Sequence, residues 1–240
     1  MRGEPGRGLG LDLIHLASRE RSRSHLRFPT EMSDMFDLVK QPARRFAEGL
    51  ARFLARTGVT PNGLTLIGFC LNVAVAVVLA SGALQAGGAL LLLAGAFDML
   101  DGALARVTGL SSRFGAFLDS SLDRYSEAAL LFGLSFDAVR RGDDAVALLA
   151  FAVIVGSLMV SYCRARAEGL GLTCEVGFAP RPERVLILGL GLILGLEVVA
   201  LAVLAALTHV TAVQRILHVR SATQEEASPS LPASQIESPP

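Results

Sequence analysis

Four aspartates stand where a long apolar stretch ends. Residues 57–97 carry no charge, and Asp98, Asp101, Asp119 and Asp123 follow. The first two are three positions apart and the last two are four apart, so each pair lies on one helix face. Neighbouring carboxylates repel one another, and they stay ionised only if cations lie among them or some take up protons. Oxygen ligands alone favour Mg²⁺ or Mn²⁺ over zinc.

The alternative interpretation is that these acids are solvated residues of a polar loop. That interpretation predicts polar neighbours, but the residues between the acids include apolar ones such as Leu100 and Leu122. An aspartate inside a membrane span costs about 2.5–3.5 kcal/mol on insertion scales, so such a cluster is a functional candidate. Gly102 and Gly115 leave room beside the acids for a ligand or another helix. Arg106, one turn after Gly102, is placed to meet a phosphate.

Composition predicts the elements that carry these acids. Of 240 residues, 52% are hydrophobic, which is typical of a polytopic membrane protein. The charge-free stretch holds two helices, 62–80 and 88–106, with a break at 81–88. A third helix begins near Phe114 and takes in Asp119 and Asp123, and a fourth covers 145–163. Residues 185–217 form two short helices that turn near Gly195 and Glu197, or else a single long helix. The predicted fold class is therefore all-α, with six transmembrane helices.

The charged segments divide the chain and set its orientation. We expect a disordered extension at 1–34, an amphipathic interfacial helix at 35–58, a six-helix domain at 59–220 and a disordered tail at 221–240. In the interfacial helix, Phe46, Leu50, Phe53 and Leu54 form one apolar stripe. Arginines cluster at one set of helix ends, and the aspartates share that side. The positive-inside rule then predicts a multi-pass protein of the cell membrane whose acidic cluster faces the cytoplasm.

The motif around the acids resembles a known family. The spacing D-G-x2-A-R-x8-G-x3-D-x3-D, with a further aspartate three residues upstream, is similar to the signature of the CDP-alcohol phosphatidyltransferases. The resemblance implies transfer of a phosphatidyl group from CDP-diacylglycerol to an alcohol with release of CMP. It also implies a homodimer in the lipid bilayer and no nucleic-acid partner, and Gly189, Gly191 and Gly195 would permit close helix packing.

The resemblance also implies roles for individual residues. Two Mg²⁺ ions, or Mn²⁺, would be held by Asp98, Asp101, Asp119 and Asp123, and Asp123 would act as the general base. The CDP-lipid would be contacted by Asn62, Gly63, Leu64, Thr65, Gly102, Arg106, Ser112 and Gly115.

A second cluster bears on the acceptor alcohol. Arginines in SYCRARAE and RPER end the fourth helix and begin the fifth. Charge alone leaves two interpretations open, a phosphate pocket and an ordinary cytoplasmic helix flank. The sequences of both segments resemble those of the branch that makes phosphatidylinositol phosphate from inositol 1-phosphate. That resemblance implies an acceptor-phosphate site at Ser161, Arg164, Arg166, Arg181 and Arg184.

Two features depart from that branch, and other functions stay open. Arg164 stands where some members carry lysine, and the loop between the last two helices is very short.

Glycerol 3-phosphate is the alternative acceptor, and free inositol or an amino alcohol would leave the arginines without a role. A metal-ion transporter is the alternative outside enzymes. Transporters often show internal repeats, however, and none is visible here.

Overall fold

The computed structural model describes residues 47–178 and 180–227, and within this part the chain forms only helices and their connections. A short helical segment at 47–55 comes first. Six helices follow: α1 (Pro61–Ala80), α2 (Leu84–Thr108), α3 (Arg113–Arg141), α4 (Asp144–Gly169), α5 (Arg181–Ile193) and α6 (Glu197–Ala227). The predicted all-α class is confirmed. The predicted extension at 1–34 and the start of the amphipathic helix lie outside the described residues.

Local sequence explains where these helices begin and end. Pro61 occupies the first turn of α1, and the Thr60 hydroxyl accepts a hydrogen bond from the Gly63 N–H at 3.1 Å. Gly109, with φ +68°, ends α2 in the left-handed region. Gly195, also with φ +68°, separates α5 from α6. The alternative of a single long final helix is therefore wrong.

Two predicted boundaries differ from the structure. The break between α1 and α2 spans only residues 81–83, so Gly87 and Gly88 lie inside α2. Their small size serves packing, because a Cβ on Gly88 would lie 2.8 Å from both the Gly189 carbonyl oxygen and the Leu192 Cβ of α5. At the other end, α6 continues to Ala227, into the segment for which a disordered tail is predicted. The remaining residues of that segment lie outside the described part.

The helices pack in a closed order around one apolar core. Each helix packs mainly against two neighbours, in the order α1, α2, α5, α6, α4, α3 and back to α1. The core draws on all six helices, with Leu79, Leu91, Leu131, Leu134 and Leu192 among its fully buried members. Of these, Leu91 lies in the N-terminal half of α2, and Leu131 and Leu134 lie in the C-terminal half of α3. The four aspartates lie in the opposite halves of these two helices, beyond the end of the core.

Length and composition identify four helices that could cross a bilayer. They are α1, α2, α4 and residues Glu197–Gln224 of α6. Large apolar side chains on them face outward, including Val77, Leu93, Leu148 and Phe151, each more than 60% exposed. Apolar exposure of this extent fits lipid contact. Helix α3 carries charges at both ends, and α5 has only 13 residues, so neither passes the same test.

Several glycines allow close helix contact within the chain. A Cβ on Gly133 of α3 would overlap the backbone carbonyl of Ala76 in α1, and one on Gly156 of α4 would overlap the Thr208 side chain of α6. Gly189 and Gly191 likewise pack against α2 and α6. These two glycines therefore serve packing inside one chain.

Gly133→Ala should destabilise the protein. The new methyl group must displace the α1 backbone, and overpacking of this kind costs about 1–3 kcal/mol. Gly169→Ala is the matched control, because a Cβ there would meet nothing within 4 Å. Unfolding in mixed micelles with rising SDS measures both variants. Equal midpoints for wild type and Gly133→Ala would contradict the close contact between α1 and α3.

Candidate active site

The structure brings together the four predicted aspartates. Asp98 and Asp101 lie near the C-terminal end of α2, and Asp119 and Asp123 lie in the first half of α3. The connection between these helices is short, and it ends at Ser112, whose hydroxyl caps α3 by accepting from the Gly115 N–H at 2.9 Å. The two acidic faces therefore meet, and the carboxyl groups of Asp101 and Asp119 adjoin one another.

Helix α1 supports the acids of α2 with neutral donors. The Thr65 hydroxyl donates a hydrogen bond to Asp101 Oδ2 at 2.9 Å. The amide of Asn72, a buried residue, lies 3.4 Å from Asp98 Oδ2. A Cβ on Gly68 would come 2.7 Å from Asp98 Oδ1, so only glycine leaves that carboxylate its place. Asn72 and Gly68 were not predicted as site residues. They lie one turn from each other on the α1 face that meets α2.

Arg181 is the cation of the cluster. Its Nη2 lies 3.0 Å from Asp98 Oδ2, and its Nη1 lies 2.9 Å from Asp123 Oδ1. The guanidinium thus joins α2 to α3 from the first residue of α5. Its Nε is buried without a hydrogen-bond partner. Arg181 was predicted to hold an acceptor phosphate, and here its single positive charge is shared between two of the four carboxylates.

The acidic cluster suits a hard divalent cation by its chemistry. Four carboxylates and the Thr65 hydroxyl offer only oxygen ligands, which Mg²⁺ and Mn²⁺ prefer. Among the described residues, no three acidic, histidine or cysteine side chains form a ready-made metal cage. The guanidinium of Arg181 lies between two of the carboxylates, which shows that the cluster accommodates a positive charge.

A groove beside the acids collects most of the residues predicted to contact the CDP-lipid. It has a volume of about 250 Å³ and lies between α1, the end of α2 and the start of α3. Six of the eight predicted residues line it: Asn62, Thr65, Gly102, Arg106, Ser112 and Gly115. Of the other two, Leu64 is buried, and the Gly63 N–H bonds to Thr60. A Cβ on Gly115 would come 2.8 Å from Asn62 Oδ1, so glycine keeps this groove open.

The five residues predicted for the acceptor phosphate lie in different surroundings. Ser161 and Arg164 line a larger cavity of about 780 Å³ between α3 and α4, together with Arg124. Arg164 pairs with Glu168 at 2.8 Å, and both side chains are about half exposed. Arg166 is exposed. Arg181 lies with the aspartates, and Arg184 is 5% exposed.

Arg184 belongs to a buried ionic link that sequence analysis missed. Its Nε and Nη2 donate to the two carboxylate oxygens of Glu127 at 2.9 and 3.0 Å. The Ser157 hydroxyl also donates to Glu127, at 2.9 Å. The link therefore joins α3, α4 and α5, one turn below the pair of Asp123 and Arg181. Glu127 lies four residues after Asp123 in an otherwise apolar run, and that spacing was the available signal.

The connection from α4 to α5 is fastened to α6. Arg215 donates to the carbonyl oxygens of Val176, at 2.9 Å, and Val160. The Thr211 hydroxyl accepts from the Phe178 N–H at 3.3 Å. Arg215 is therefore a structural residue, although its place near the end of the last helix suggested an ordinary flanking charge.

Comparisons with known proteins agree with this geometry. The profile of the CDP-alcohol phosphatidyltransferase family matches residues 58–215. The archaetidylinositol phosphate synthase of Pyrococcus horikoshii is 40% identical over 190 residues, which cover 76% of this chain and 93% of that protein. The phosphatidylinositol phosphate synthase of Corynebacterium glutamicum is 39% identical over 188 residues, covering 74% of this chain and 85% of that protein.

Solved structures give the same result. The phosphatidylinositol phosphate synthase of Mycobacterium tuberculosis with CDP-DAG bound superposes with a TM-score of 0.69 at 33% identity, covering 82% of this chain and all of that one. A second structure of that enzyme, in complex with manganese and citrate, gives 0.69 at 32% identity, covering 80% of this chain and 93% of that one.

Arg184→Met should destabilise the protein, because the largely buried Glu127 carboxylate loses its charged partner and keeps only the hydrogen bond from Ser157. Breaking a buried ion pair costs about 3–5 kcal/mol. The double variant Glu127→Gln/Arg184→Met should lose less than the sum of the two single variants, as measured by SDS-titrated unfolding. Arg164→Gln, which breaks the half-exposed pair with Glu168, is the control and should cost about 0.5 kcal/mol. Additive single losses would contradict a direct link between Glu127 and Arg184.

Proposed function

Because the chain belongs to the CDP-alcohol phosphatidyltransferase family, we propose that it transfers the phosphatidyl group of CDP-diacylglycerol to inositol 1-phosphate. The products are phosphatidylinositol phosphate and CMP, so the reaction belongs to phospholipid synthesis. One observation carries the proposal: the motif aspartates meet beside a groove lined by six of the residues expected to contact the CDP-lipid. The archaeal and bacterial relatives named above act in the same branch.

Asp123 is the general base of the proposed reaction. It takes the proton from the acceptor hydroxyl as that oxygen attacks the phosphorus attached to diacylglycerol. The bond from this phosphorus to the oxygen of CMP breaks, and CMP leaves with the bonding electrons. Asp123 suits this role because it lies on the inner face of α3, within the cluster, and its partner Arg181 comes from another helix. Arg106 and Ser112 contact the nucleotide phosphates, and Gly102 and Gly115 leave space for them.

The four aspartates would hold two Mg²⁺ ions, with Mn²⁺ as a substitute. The ions would neutralise the diphosphate as its charge shifts to the departing CMP. The manganese complex of the Mycobacterium tuberculosis enzyme supports a divalent ion of this class. The oxygen-only ligand set of this chain supports the same choice.

The reaction is proposed to occur at the cytoplasmic face of the cell membrane. Helix α3, at 29 residues, is long enough to cross a bilayer, and α5 completes the bundle as a short sixth helix. Leu50 and Phe53, in the helical segment at 47–55, are both exposed, which supports an interfacial helix before α1. The acyl chains then stay in lipid while cytidine reaches the polar end of the bundle. We expect two chains to form a homodimer.

The acceptor is proposed to bind beside Asp123 through its phosphate. Ser161 and Arg164 line the larger cavity next to the start of α3, and Arg124 adds a third polar side chain there. Arg166, Arg181 and Arg184 complete the proposed set. Guanidinium groups suit a phosphate because they donate two hydrogen bonds in a fixed fork.

Asp123→Asn should slow CMP release by about 100-fold or more, because general bases contribute about 10²–10⁴ in rate. The measurement is CMP formed by purified protein from CDP-diacylglycerol and inositol 1-phosphate with Mg²⁺. Asp144→Asn is the control, because Asp144 is exposed at the start of α4. Equal rates in Asp123→Asn and wild type would overturn the general-base assignment.

Parallel reactions with glycerol 3-phosphate, free inositol and serine identify the acceptor. A faster reaction with glycerol 3-phosphate would replace inositol 1-phosphate in the proposal. No CMP with any acceptor would overturn the proposed function.

Arg164→Gln should raise the KM for inositol 1-phosphate by about tenfold or more, since a charge-assisted hydrogen bond contributes about 1.5–3 kcal/mol. The KM for CDP-diacylglycerol should stay within about twofold, because Arg164 lies outside the nucleotide groove. Arg220→Gln, an exposed arginine on α6, is the control. Arg215 is unsuitable as a control because it holds the α4–α5 connection. Similar KM values in both variants would remove Arg164 from the acceptor site.

A further inference from the structure

Arg181 occupies an unusual position for a residue assigned to a phosphate. Its two terminal nitrogens contact one carboxylate on α2 and another on α3. Asp98 and Asp123 are two of the four side chains assigned to metal, so the guanidinium and a divalent ion compete for Asp98 Oδ2 and Asp123 Oδ1. The same arginine is assigned to the acceptor phosphate, but here both of its terminal nitrogens are directed at carboxylates.

We propose that Arg181 and a divalent cation are alternative occupants of the aspartate cluster, and that binding of the cation releases Arg181 to the acceptor phosphate. The second half of this statement rests on the proposed function, and the first half does not. In the paired state the guanidinium of Arg181 lies between Asp98 and Asp123. In the metal-bound state the positive charge of Arg181 is repelled from the cluster and turns to the phosphate.

The surroundings of Arg181 allow this exchange. Arg181 is the first residue of α5, and its side chain is 23% exposed, so it has solvent on one side. Its Nε donates to nothing, so leaving the cluster breaks two hydrogen-bonded ion pairs and the longer-range attraction to Asp119. One turn later Arg184 is held at both oxygens of Glu127. Helix α5 can thus stay in place while the Arg181 side chain alone changes position.

The exchange couples two ligands. If metal displaces Arg181 toward the acceptor, then an acceptor phosphate that captures Arg181 must strengthen metal binding by the same factor. Removing the guanidinium should therefore have two effects. In the absence of acceptor, the variant should bind metal more tightly than wild type. In its presence, the acceptor should strengthen metal binding much less than it does in wild type.

The test is Mn²⁺ binding to the full chain in detergent micelles, followed by electron paramagnetic resonance of the free ion, without substrate. Arg181→Gln should bind Mn²⁺ about tenfold more tightly than wild type if the paired state holds about 90% of molecules. Arg181→Lys should fall between them, because a lysine point charge cannot bridge two carboxylates as a fork does. Thermal unfolding in EDTA verifies that each variant is folded.

Arg124→Gln is the matched control. Arg124 interacts electrostatically with Asp119 and Asp123, but its Nη1 donates to the Ser120 carbonyl of its own helix. A gain of the same size in Arg124→Gln and Arg181→Gln would assign the effect to general charge and overturn the competition. Unchanged or weaker Mn²⁺ binding in Arg181→Gln would also overturn it.

Inositol 1-phosphate then tests the coupling. It should increase the Mn²⁺ affinity of wild type, and the increase should be several-fold smaller in Arg181→Gln. Equal enhancement in both proteins would overturn the transfer of Arg181 to the phosphate. Failure of the proposed function would instead appear as absent CMP release, with the competition between Mn²⁺ and Arg181 intact.

Discussion

Carboxylates that face one another beside an apolar core need a positive charge among them, because little water is present to screen their repulsion. Much of this structure follows from that requirement. Asp98, Asp101, Asp119 and Asp123 can meet only where the core of the bundle has ended and a cation can enter. In the structure that cation is Arg181, which α5 delivers to the gap between α2 and α3. A divalent metal ion meets the same need with a higher charge and a smaller radius.

The ionic contacts at this end of the bundle form two levels, which differ in their roles. The outer level, formed by Arg181 with Asp98 and Asp123, is partly open to solvent. The inner level, formed by Arg184 with Glu127 and Ser157, is bidentate, and the Arg184 side chain is 6% exposed against 23% for Arg181. Because the inner contact fixes α5 against α3 and α4, the outer contact can change without moving a helix. Small residues elsewhere, such as Gly133 and Gly156, bring the backbones close enough for both levels to form.

Sequence alone predicted the residues of the acidic cluster and its groove better than the contacts that hold the helices together. The spacing of the four acids predicted that each pair shares a helix face, because helical periodicity converts spacing directly into a face. The resemblance of the whole motif to a known signature implied the family and the residues that line the groove. The helix boundaries were close, and the turn near Gly195 was foreseen from its glycine. Composition could not show that Gly87 and Gly88 pack inside α2, since glycine both breaks helices and permits close packing.

The contacts that join distant segments had no sequence signal strong enough to identify them. Asn72 approaches Asp98 across 26 positions, and Arg184 meets Glu127 across 57. Such pairs depend on which helices become neighbours, and charge counts near helix ends treat all arginines alike. Arg184 was therefore assigned to the acceptor phosphate, although it pairs with Glu127, and nothing in the sequence indicated that Arg215 holds two main-chain carbonyls. Whether Arg184 also serves the acceptor stays a prediction.

The buried link between Glu127 and Arg184 bears on how the chain enters the bilayer. Ribosomes make α3 well before α5, so Glu127 arrives without the partner that neutralises it. An unpaired carboxylate is costly in hydrocarbon, and α5 has only 13 residues and cannot span alone. If α3 crosses the bilayer as proposed, its insertion becomes more favourable once α5 has been synthesised and can pair with Glu127. Synthesis of the fifth helix would then assist insertion of the third.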